Sequence, residues 1–344
     1  MPRTIKTAAL QMDARLAPAP ARLRRAESLI ETAAGAGAQL VALPELFNSG
    51  YAYSDENYAR AEPLDGPTVA WMKETAADYE IHLAGSLLLR DGGEIYNALL
   101  LLAPDGRMWR YDKRYPWGWE RAYFRAGRGL TVAETDLGDI GLMICWDAAH
   151  RDLWRGYAGQ VDLVLISSCP PDVTNPTYHF PDGDTITLDD FGHVGGVLKN
   201  TARRLFGPMI NAQTACLGVP AVVTVGCGHL RTAIPRGRAT LLSYLSLAPH
   251  LIKYLPQAGD IEMTCGFVQG CKIVDSRGEV LTELTQEEGE SFALADVTLA
   301  DEKPGPTRPQ PKSLLPWLTY LSSDVVLPSL MRPFCRRGVR NLHR

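Results

Sequence analysis

Short apolar runs that stop abruptly at a polar or turn residue recur along this chain, and they constrain its fold more than any other feature. Examples are "IKTAALQM", "LVALPEL", "IHLAGSLLLR", "YNALLLLAPDG", "IGLMIC" and "VDLVLISS". Short apolar runs bounded by turn residues are typical of buried strands. Between them lie helical patterns, at residues 20–34 and 69–79, in which apolar residues recur at spacings of three and four. The alternation predicts a layered α/β architecture in which helices cover the sheets.

The rest of the chain continues this pattern. A short helix is expected at 148–159, and later strands are expected in "PAVVTVG", "GCKIVDSRGEVLTEL" and "ESFALADV". Residues 176–210 are expected to form a loop followed by a helix that covers part of a site. No repeat and no linker divides the chain.

Composition limits the classes of function. The 344 residues include 46% hydrophobic residues, enough for a sizeable core, and 35 Lys and Arg against 39 Asp and Glu. A net charge of -4 gives no electrostatic reason to expect a nucleic-acid partner. Seven scattered cysteines without a CxxC, and a start without a secretory pattern, are typical of reduced thiols in a cytoplasmic protein.

Three predicted strands are each followed by a side chain that can take part in chemistry. "LVALPELF" delivers Glu45, "RMWRYDKRYPW" delivers Lys113, and "IGLMICWD" delivers Cys145. Strand ends often carry catalytic groups, because the strand fixes position while the loop leaves room for a substrate. Taken singly, the acid and the lysine are also typical of solvated residues, and the cysteine of a small buried hydrophobe.

Together, these three contexts resemble the catalytic triad of the carbon-nitrogen hydrolase (nitrilase) superfamily, in its amidase-like branch. The resemblance extends from about Thr4 to Asp296 and includes "LVALPELFNSGY", "DKRYPWGWERAYFRAGRG", "GLMICWD", "NAQTACLGVPAVVTVG" and "GFVQGCKIVDSRGEVL". It implies a four-layer α-β-β-α sandwich, with a catalytic domain at residues 1–300 and a C-terminal extension at 301–344. It also implies a homodimer or a higher homo-oligomer.

The family's chemistry implies a role for each residue. Only a small fraction of an ordinary thiol, with a pKa of about 8.5, is ionised near neutrality. Glu45 is expected to act as general base towards Cys145, whose sulfur attacks an amide carbonyl and forms a thioester that water then hydrolyses. Lys113 and the backbone N–H of Trp146 are expected to bind the oxyanion. Neither a metal nor an organic cofactor is called for.

Two further residues near the triad have competing interpretations. Many members of this family carry a second glutamate between the lysine and the cysteine, and Glu120 is the candidate here; alternatively, it is a surface residue paired with Arg121 or Arg125. His150 could form a dyad with Cys145, or pack or cap at the following helix.

Substrate contacts are expected from residues around the triad. The candidates are Tyr51, Trp119, Tyr123, Trp146, Asp147 and Cys169. The aromatic members suit either an ordinary core or the wall of an apolar acyl pocket. "CWDAAHRDLWRGYAG" departs from the family's common sequences after the cysteine, so substrate identity cannot be transferred.

Two apolar segments exceed what this family's core requires, at 240–256 and 313–335, and the second is followed by arginines. Three interpretations remain open: a contact between subunits, contact with the inner face of a membrane through residues 313–344, or a lid over a lipophilic substrate. A transmembrane helix is not expected, because Pro316, Asp324 and Pro328 interrupt the apolar stretch.

The expected function is hydrolysis of a non-peptide amide by an amidase of the EC 3.5.1 type, and the lid interpretation of the apolar segments would make that amide a lipophilic one. Nitrile hydrolysis and acyl transfer from the same thioester are the alternatives, and a non-catalytic scaffold is a third. The three intact reactive residues argue against the scaffold.

Overall fold

The computed structural model describes residues 3–245 and 248–342. Its strands are β1 (Arg3–Gln11), β2 (Leu40–Ala42), β3 (His82–Asp91), β4 (Glu94–Leu102), β5 (Met108–Asp112), β6 (Val132–Thr135), β7 (Gly138–Ile144), β8 (Leu163–Ser167), β9 (Thr177–His179), β10 (Thr185–Thr187), β11 (Ala221–Val223), β12 (His229–Ala233), β13 (Glu262–Gly266), β14 (Lys272–Val274), β15 (Val280–Glu283) and β16 (Ser291–Leu299). Its α-helices are α1 (Ala19–Gly35), α2 (Glu56–Arg60), α3 (Pro67–Asp78), α4 (Arg151–Tyr157), α5 (His193–Lys199), α6 (Thr201–Arg204), α7 (Ile210–Leu217), α8 (Gly237–Tyr244), α9 (Trp317–Tyr320) and α10 (Leu327–Leu342).

Two six-stranded sheets form the centre of the molecule. Their strand orders are β16-β1-β2-β3-β4-β5 and β15-β14-β11-β8-β7-β6. The alternation of side chains along a strand directs Ala9 of β1 into the core shared by the two sheets and Leu10 into the core under the helices. Because both faces of inner strands such as β2, β8 and β11 are buried, their sequences read as continuous apolar runs.

Helices cover the outer face of each sheet. Ile30 of α1 and Met72 of α3 are fully buried against the first sheet. Trp154 of α4 and Ile210 of α7 belong to the core of the second sheet. The resulting order of layers is α-β-β-α, as the family resemblance implies.

A third sheet of four strands, ordered β10-β9-β13-β12, was not predicted. Residues 176–210 contain β9 and β10 where a loop was expected, and the expected helical part follows them as α5 and α6. Of two other bounds, the end of β2 agrees with a strand that stops at the proline of "LVALPEL", and the start of one helix differs. β2 stops at Ala42, shortly before Pro44, which has no N–H to donate to a ladder. The helix predicted at 148–159 begins only at Arg151, because residues 145–149 form a 3₁₀ turn.

After β16, the chain folds back onto the molecule through α9, a π-helical stretch at Leu321–Val326, and α10. Leu327, Met331, Cys335 and Val339, at intervals of four, form the buried face of this segment. The face packs against the 3₁₀ turn Gly118–Ala122, where a Cβ on Gly118 would lie only 2.8 Å from Leu327. Across 3–245 and 248–342, we find no helix with the length and apolar character that spanning a bilayer demands. The domain division at residue 300 stays a prediction.

Candidate active site

The three predicted reactive residues emerge at matching edges of the two central sheets. β2 is parallel to β3, and two antiparallel pairings give β5 the same direction. Glu45 and Lys113 therefore follow the carboxyl ends of co-directional strands, while Cys145 follows the carboxyl end of β7 in the facing sheet. The backbone N–H of Glu45 donates to Ser168 O, just beyond β8, at 3.2 Å, which ties the two edges together.

An ammonium group between two carboxylates forms the floor of the site. Lys113 Nζ lies 2.7 Å from Glu45 Oε1, and 2.9 Å and 2.7 Å from Glu120 Oε1 and Oε2. All three side chains are buried. Burial opposes the charge of Lys113, but Glu120 and Glu45 hold its pKa above the ordinary value. The structure thus holds the ammonium of Lys113 and the carboxylates of Glu45 and Glu120 in contact, away from water.

Both oxygens of the Glu45 carboxylate are engaged. Oε1 also accepts a hydrogen bond from Asn97 Nδ2 at 2.8 Å, and Oε2 accepts one from the backbone N–H of Cys169 at 3.1 Å. The Cys145 thiol lies next to this carboxylate and lowers the pKa of Glu45. Burial raises the pKa of Glu45 to about 7, with Lys113 opposing the shift and Glu120 adding to it. A carboxyl with that pKa can both accept and return a proton near neutrality.

Cys145 occupies a sharp turn between β7 and the 3₁₀ turn Cys145–Ala149. Its φ of 49° lies in the left-handed region, which non-glycine residues seldom adopt and which is common at functional sites. Burial and the nearby Glu45 raise the pKa of its thiol, whereas Lys113 lowers it. The resting sulfur is therefore protonated and lies beside the carboxylate that can remove its proton.

Asp147 holds this turn in place. Its Oδ2 accepts hydrogen bonds from the backbone N–H of Ile144 at 3.0 Å and from the Tyr111 hydroxyl at 2.9 Å. Its Oδ1 accepts from the backbone N–H of Tyr115 at 2.8 Å. Burial raises the pKa of Asp147 to about 6. The carboxylate therefore connects the cysteine turn to the strand that delivers the lysine.

Glu120 is part of the buried cluster rather than a surface residue paired with arginine. Its Oε1 accepts a hydrogen bond from the Tyr51 hydroxyl at 2.8 Å, and its Oε2 accepts from the backbone N–H of Trp117 at 2.7 Å. Arg121 Nε instead donates to Pro116 O at 3.0 Å, and Arg125 pairs with Glu94. The surface-pair interpretation was wrong.

A mostly apolar cavity reaches Cys145. Its volume, counted out to the open mouth, is about 1230 Å³. Aromatic and aliphatic side chains dominate the walls, including Tyr53, Trp117, Tyr178, Phe191, Leu241 and Ile261. Such a cavity suits a ligand whose bulk is apolar and whose polar contacts are few.

The predicted substrate-contact residues divide into two groups. Tyr51, Trp119 and Trp146 line the cavity together with Cys145. Among the described side chains, Tyr123, Asp147 and Cys169 do not line it and lie behind the wall. Tyr123 packs its ring 5.8 Å from that of Tyr58, Asp147 braces the cysteine turn, and Cys169 presents its backbone N–H to Glu45.

His150 packs against aromatic rings. Its ring stacks on Tyr115 with centroids 3.5 Å apart, and its Nε2 lies 3.6 Å from Asp324 Oδ2. Burial lowers the pKa of His150 to about 3, so the ring is neutral. These contacts favour the packing interpretation over a dyad with Cys145.

Sequence reasoning missed Asn97 and the particular residues that the C-terminal extension contributes to the cavity. Asn97 stands inside the apolar strand "YNALLLL", and a polar residue in such a run is a signal that could have identified it. Thr319, Ser322 and Ser323 line the cavity, and Ser322 Oγ is 2.8 Å from the Tyr244 hydroxyl. No local pattern indicated those contacts.

The comparisons agree with this geometry. The chain belongs to the carbon-nitrogen hydrolase family, whose model matches residues 6–305. A nitrilase from Pyrococcus abyssi is 31% identical over 147 residues, 42% of this chain and 56% of that protein. An omega-amidase from Danio rerio is 34% identical over 156 residues, again 42% and 56% of the two chains. The chain thus spans about half the length of these curated relatives.

Among solved structures, a CN-hydrolase superfamily protein from Xanthomonas campestris shares the fold. The TM-score is 0.61 at 22% identity, covering 87% of this chain and 91% of that one. The predicted superfamily and the predicted α-β-β-α sandwich are therefore confirmed.

Proposed function

We propose that this protein is a cysteine-dependent hydrolase that cleaves the carbon–nitrogen bond of a non-peptide amide through a thioester. One observation carries the proposal: the thiol of Cys145 lies close enough to the buried Glu45 carboxylate for each group to shift the pKa of the other, this carboxylate contacts Lys113 at 2.7 Å, and Cys145 lines an apolar cavity. A structural thiol has no need of a buried acid with a pKa near neutrality.

The first half of the reaction makes the thioester. Glu45 takes the proton of Cys145 as the sulfur attacks the amide carbonyl carbon. Negative charge that develops on the carbonyl oxygen is stabilised by Lys113 and by the backbone N–H of Trp146. Glu45 then gives its proton to the departing nitrogen, which leaves as ammonia or an amine.

The second half regenerates the enzyme. Glu45, again a carboxylate, takes a proton from water as the water oxygen attacks the thioester carbon. The carbon–sulfur bond breaks, the acid leaves, and the proton held by Glu45 returns to the sulfur. Glu120 serves as a positioning residue, because both of its carboxylate oxygens contact the ammonium of Lys113.

The cavity supports a lipophilic acyl group. Its walls are apolar apart from a few hydroxyls, and they extend from Cys145 to α8 and the C-terminal segment. We further propose that the C-terminal segment acts here as a fixed wall of the acyl pocket, which is closest to the lid interpretation of its sequence.

Nitrile hydrolysis is the second candidate, because the curated relatives include a nitrilase as well as an omega-amidase. A thiolate can add to a nitrile carbon as it adds to a carbonyl carbon.

Ammonia release should therefore be measured on matched amides and nitriles of increasing acyl length, with Cys145→Ala as the blank. Ammonia from amides alone, with a substrate-derived adduct on Cys145 by mass spectrometry, is the expected result. Equal release by the blank would overturn the proposal.

A further inference from the structure

The C-terminal helical segment has an exposed apolar face as well as the buried one. Trp317, Leu321 and Val325 are 72%, 37% and 55% exposed. They follow each other at intervals of four along a continuous helical backbone, so they share one side of it. We call these three residues the outer ridge.

Positive charge continues along the same segment. Arg332, Arg336 and Arg337 are exposed on α10, and we call them the basic row. From 313 to 339, Asp324 is the single acidic residue in the sequence, and its carboxylate is committed to Trp146. A local excess of positive charge therefore stands out on a chain whose net charge is -4.

We propose that the outer ridge and the basic row dock this protein on an anionic lipid surface. A helical face with exposed tryptophan and aliphatic residues can enter the headgroup boundary, while adjacent arginines bind anionic headgroups. From Trp317 to Arg337 the segment spans about 30 Å, so both features can reach one flat surface.

A second copy of this chain is the competing occupant. A two-fold contact would place the same cationic segment on both sides of the interface, without a compensating acidic row on the described part of that segment. An anionic membrane complements both the apolar and the charged part, so the lipid surface is the occupant that the residues favour.

Docking would have a consequence for the cavity. The outer ridge lies on the same helical stretch as Thr319, Ser322 and Ser323, which line the cavity from its inner side. A membrane bound to the ridge would therefore lie against the cavity wall. The docking itself does not depend on which reaction the cysteine performs.

The test is co-sedimentation of the full chain with vesicles of phosphatidylcholine alone and of phosphatidylcholine mixed with phosphatidylglycerol. We expect binding to the mixed vesicles, weaker binding to the neutral ones, and weakening by salt. Two variants remove the proposed contacts: Trp317→Ser/Leu321→Ser/Val325→Ser and Arg332→Gln/Arg336→Gln/Arg337→Gln. Two matched controls change exposed residues elsewhere: Leu64→Ser/Val280→Ser/Leu281→Ser and Arg24→Gln/Arg90→Gln/Arg128→Gln.

The variant of the basic row should lose about fivefold in partitioning per arginine, on the order of a hundredfold in total. The ridge variant should lose binding to both kinds of vesicle, with the ammonia-releasing activity unchanged in the absence of lipid. The controls should bind like the parent chain. Absence of binding by the full chain, or equal binding by the ridge variant and its control, would refute the docking. Conversion of an oligomer to a smaller species by the ridge variant, without vesicle binding, would assign the ridge to a second copy instead.

Discussion

The indole Nε1 of Trp146 donates a hydrogen bond of 2.9 Å to Oδ1 of Asp324, which joins the residue after the nucleophile to the C-terminal segment. The Tyr320 hydroxyl donates to Ala149 O at 2.6 Å, at the other end of the same 3₁₀ turn. The turn that carries Cys145 is therefore held from a segment about 170 residues further along the chain. The proposed oxyanion donor, the backbone N–H of Trp146, depends on this support.

Replacing Asp324 should affect both the stability and the reaction. Asp324→Ala leaves the indole N–H of Trp146 without its acceptor, which costs about 1–3 kcal/mol if the group stays buried. We expect a lower melting temperature and a fall in kcat of about tenfold, with less change in KM, because the oxyanion donor is displaced. Thermal unfolding and steady-state kinetics measure these effects.

The conservative variant Asp324→Asn is the matched control for that prediction. Its side-chain oxygen can still accept from the indole, so most of the activity and stability should return. If Asp324→Ala behaves like the parent chain in both measurements, the contact between the C-terminal segment and Trp146 contributes to neither stability nor activity.

The pH profile of kcat/KM should report the ionisation of Glu45. The carboxylate form is the base, and the pKa of Glu45 is raised to about 7. Activity should therefore fall about tenfold per pH unit as the pH drops below about 7. Glu120 contributes to the raised pKa, so Glu120→Gln should move this acidic limb to lower pH as well as reduce kcat.

The control for the pH prediction is Glu94→Gln, which removes a carboxylate paired with Arg125 at the surface. It should leave the acidic limb in place. A limb that stays fixed, or that moves to higher pH in Glu120→Gln, would contradict the charge coupling between Glu120 and Glu45.

The site's reactive residues could be predicted because each follows a run whose apolar character is visible locally. The ends of "LVALPEL" and "IGLMIC" are fixed by burial on both faces of a sheet, and this is a property of neighbouring residues. The partners of these residues are set by tertiary contacts instead. Asn97 reaches Glu45 from the middle of β4, and the backbone N–H of Cys169 does so from beyond β8.

The third sheet and the direction of the C-terminal segment escaped prediction for different reasons. β9 and β10 have three residues each, "TYH" and "TIT", too few to show a period of two. The apolar face of α10 was visible in the sequence, but its partner, the turn at Gly118–Ala122, is about 200 residues away. An apolar face predicts that something covers it, without saying what.

Lys113→Ala should abolish most of the activity and shift the pH profile in the direction opposite to Glu120→Gln. Loss of the oxyanion ligand costs about 10²–10³-fold in kcat. Because Lys113 lowers the pKa of Glu45, its removal raises that pKa and moves the acidic limb to higher pH. The kinetics of the residual activity across pH measure the shift.

Removing Lys113 alone also leaves two buried carboxylates without a cation, which destabilises the fold. The double variant Lys113→Met/Glu120→Gln removes one charge of each sign, so it should recover stability towards unfolding but not activity. Recovery of activity in the double variant would show that the ammonium has no part in the reaction.

Narrowing the cavity should shorten the acyl group that is accepted. Leu241 lines the cavity, whereas its neighbour Leu242 is exposed on the outer side of α8. Leu241→Trp should raise KM for long-chain amides and spare short ones, and Leu242→Trp should change neither. A panel of amides of increasing chain length measures this; an equal loss for short and long amides in Leu241→Trp would speak against an acyl pocket.

Gly338 provides a test of how tightly α10 is docked. Helix propensity alone favours Gly338→Ala by about 0.5–1 kcal/mol, but the added Cβ would lie 2.1 Å from Tyr58 Cζ. Overpacking costs about 1–3 kcal/mol, more than the gain in helix propensity. Gly338→Ala should therefore lower the melting temperature and speed proteolysis of the C-terminal segment. Gly196→Ala, in α5 with open space around its Cβ, should instead be neutral or stabilising. Stabilisation at both positions would show that α10 is not packed against Tyr58.

Gly338→Ala should also lose activity on long-chain amides, because α10 continues the helical stretch that holds Trp146.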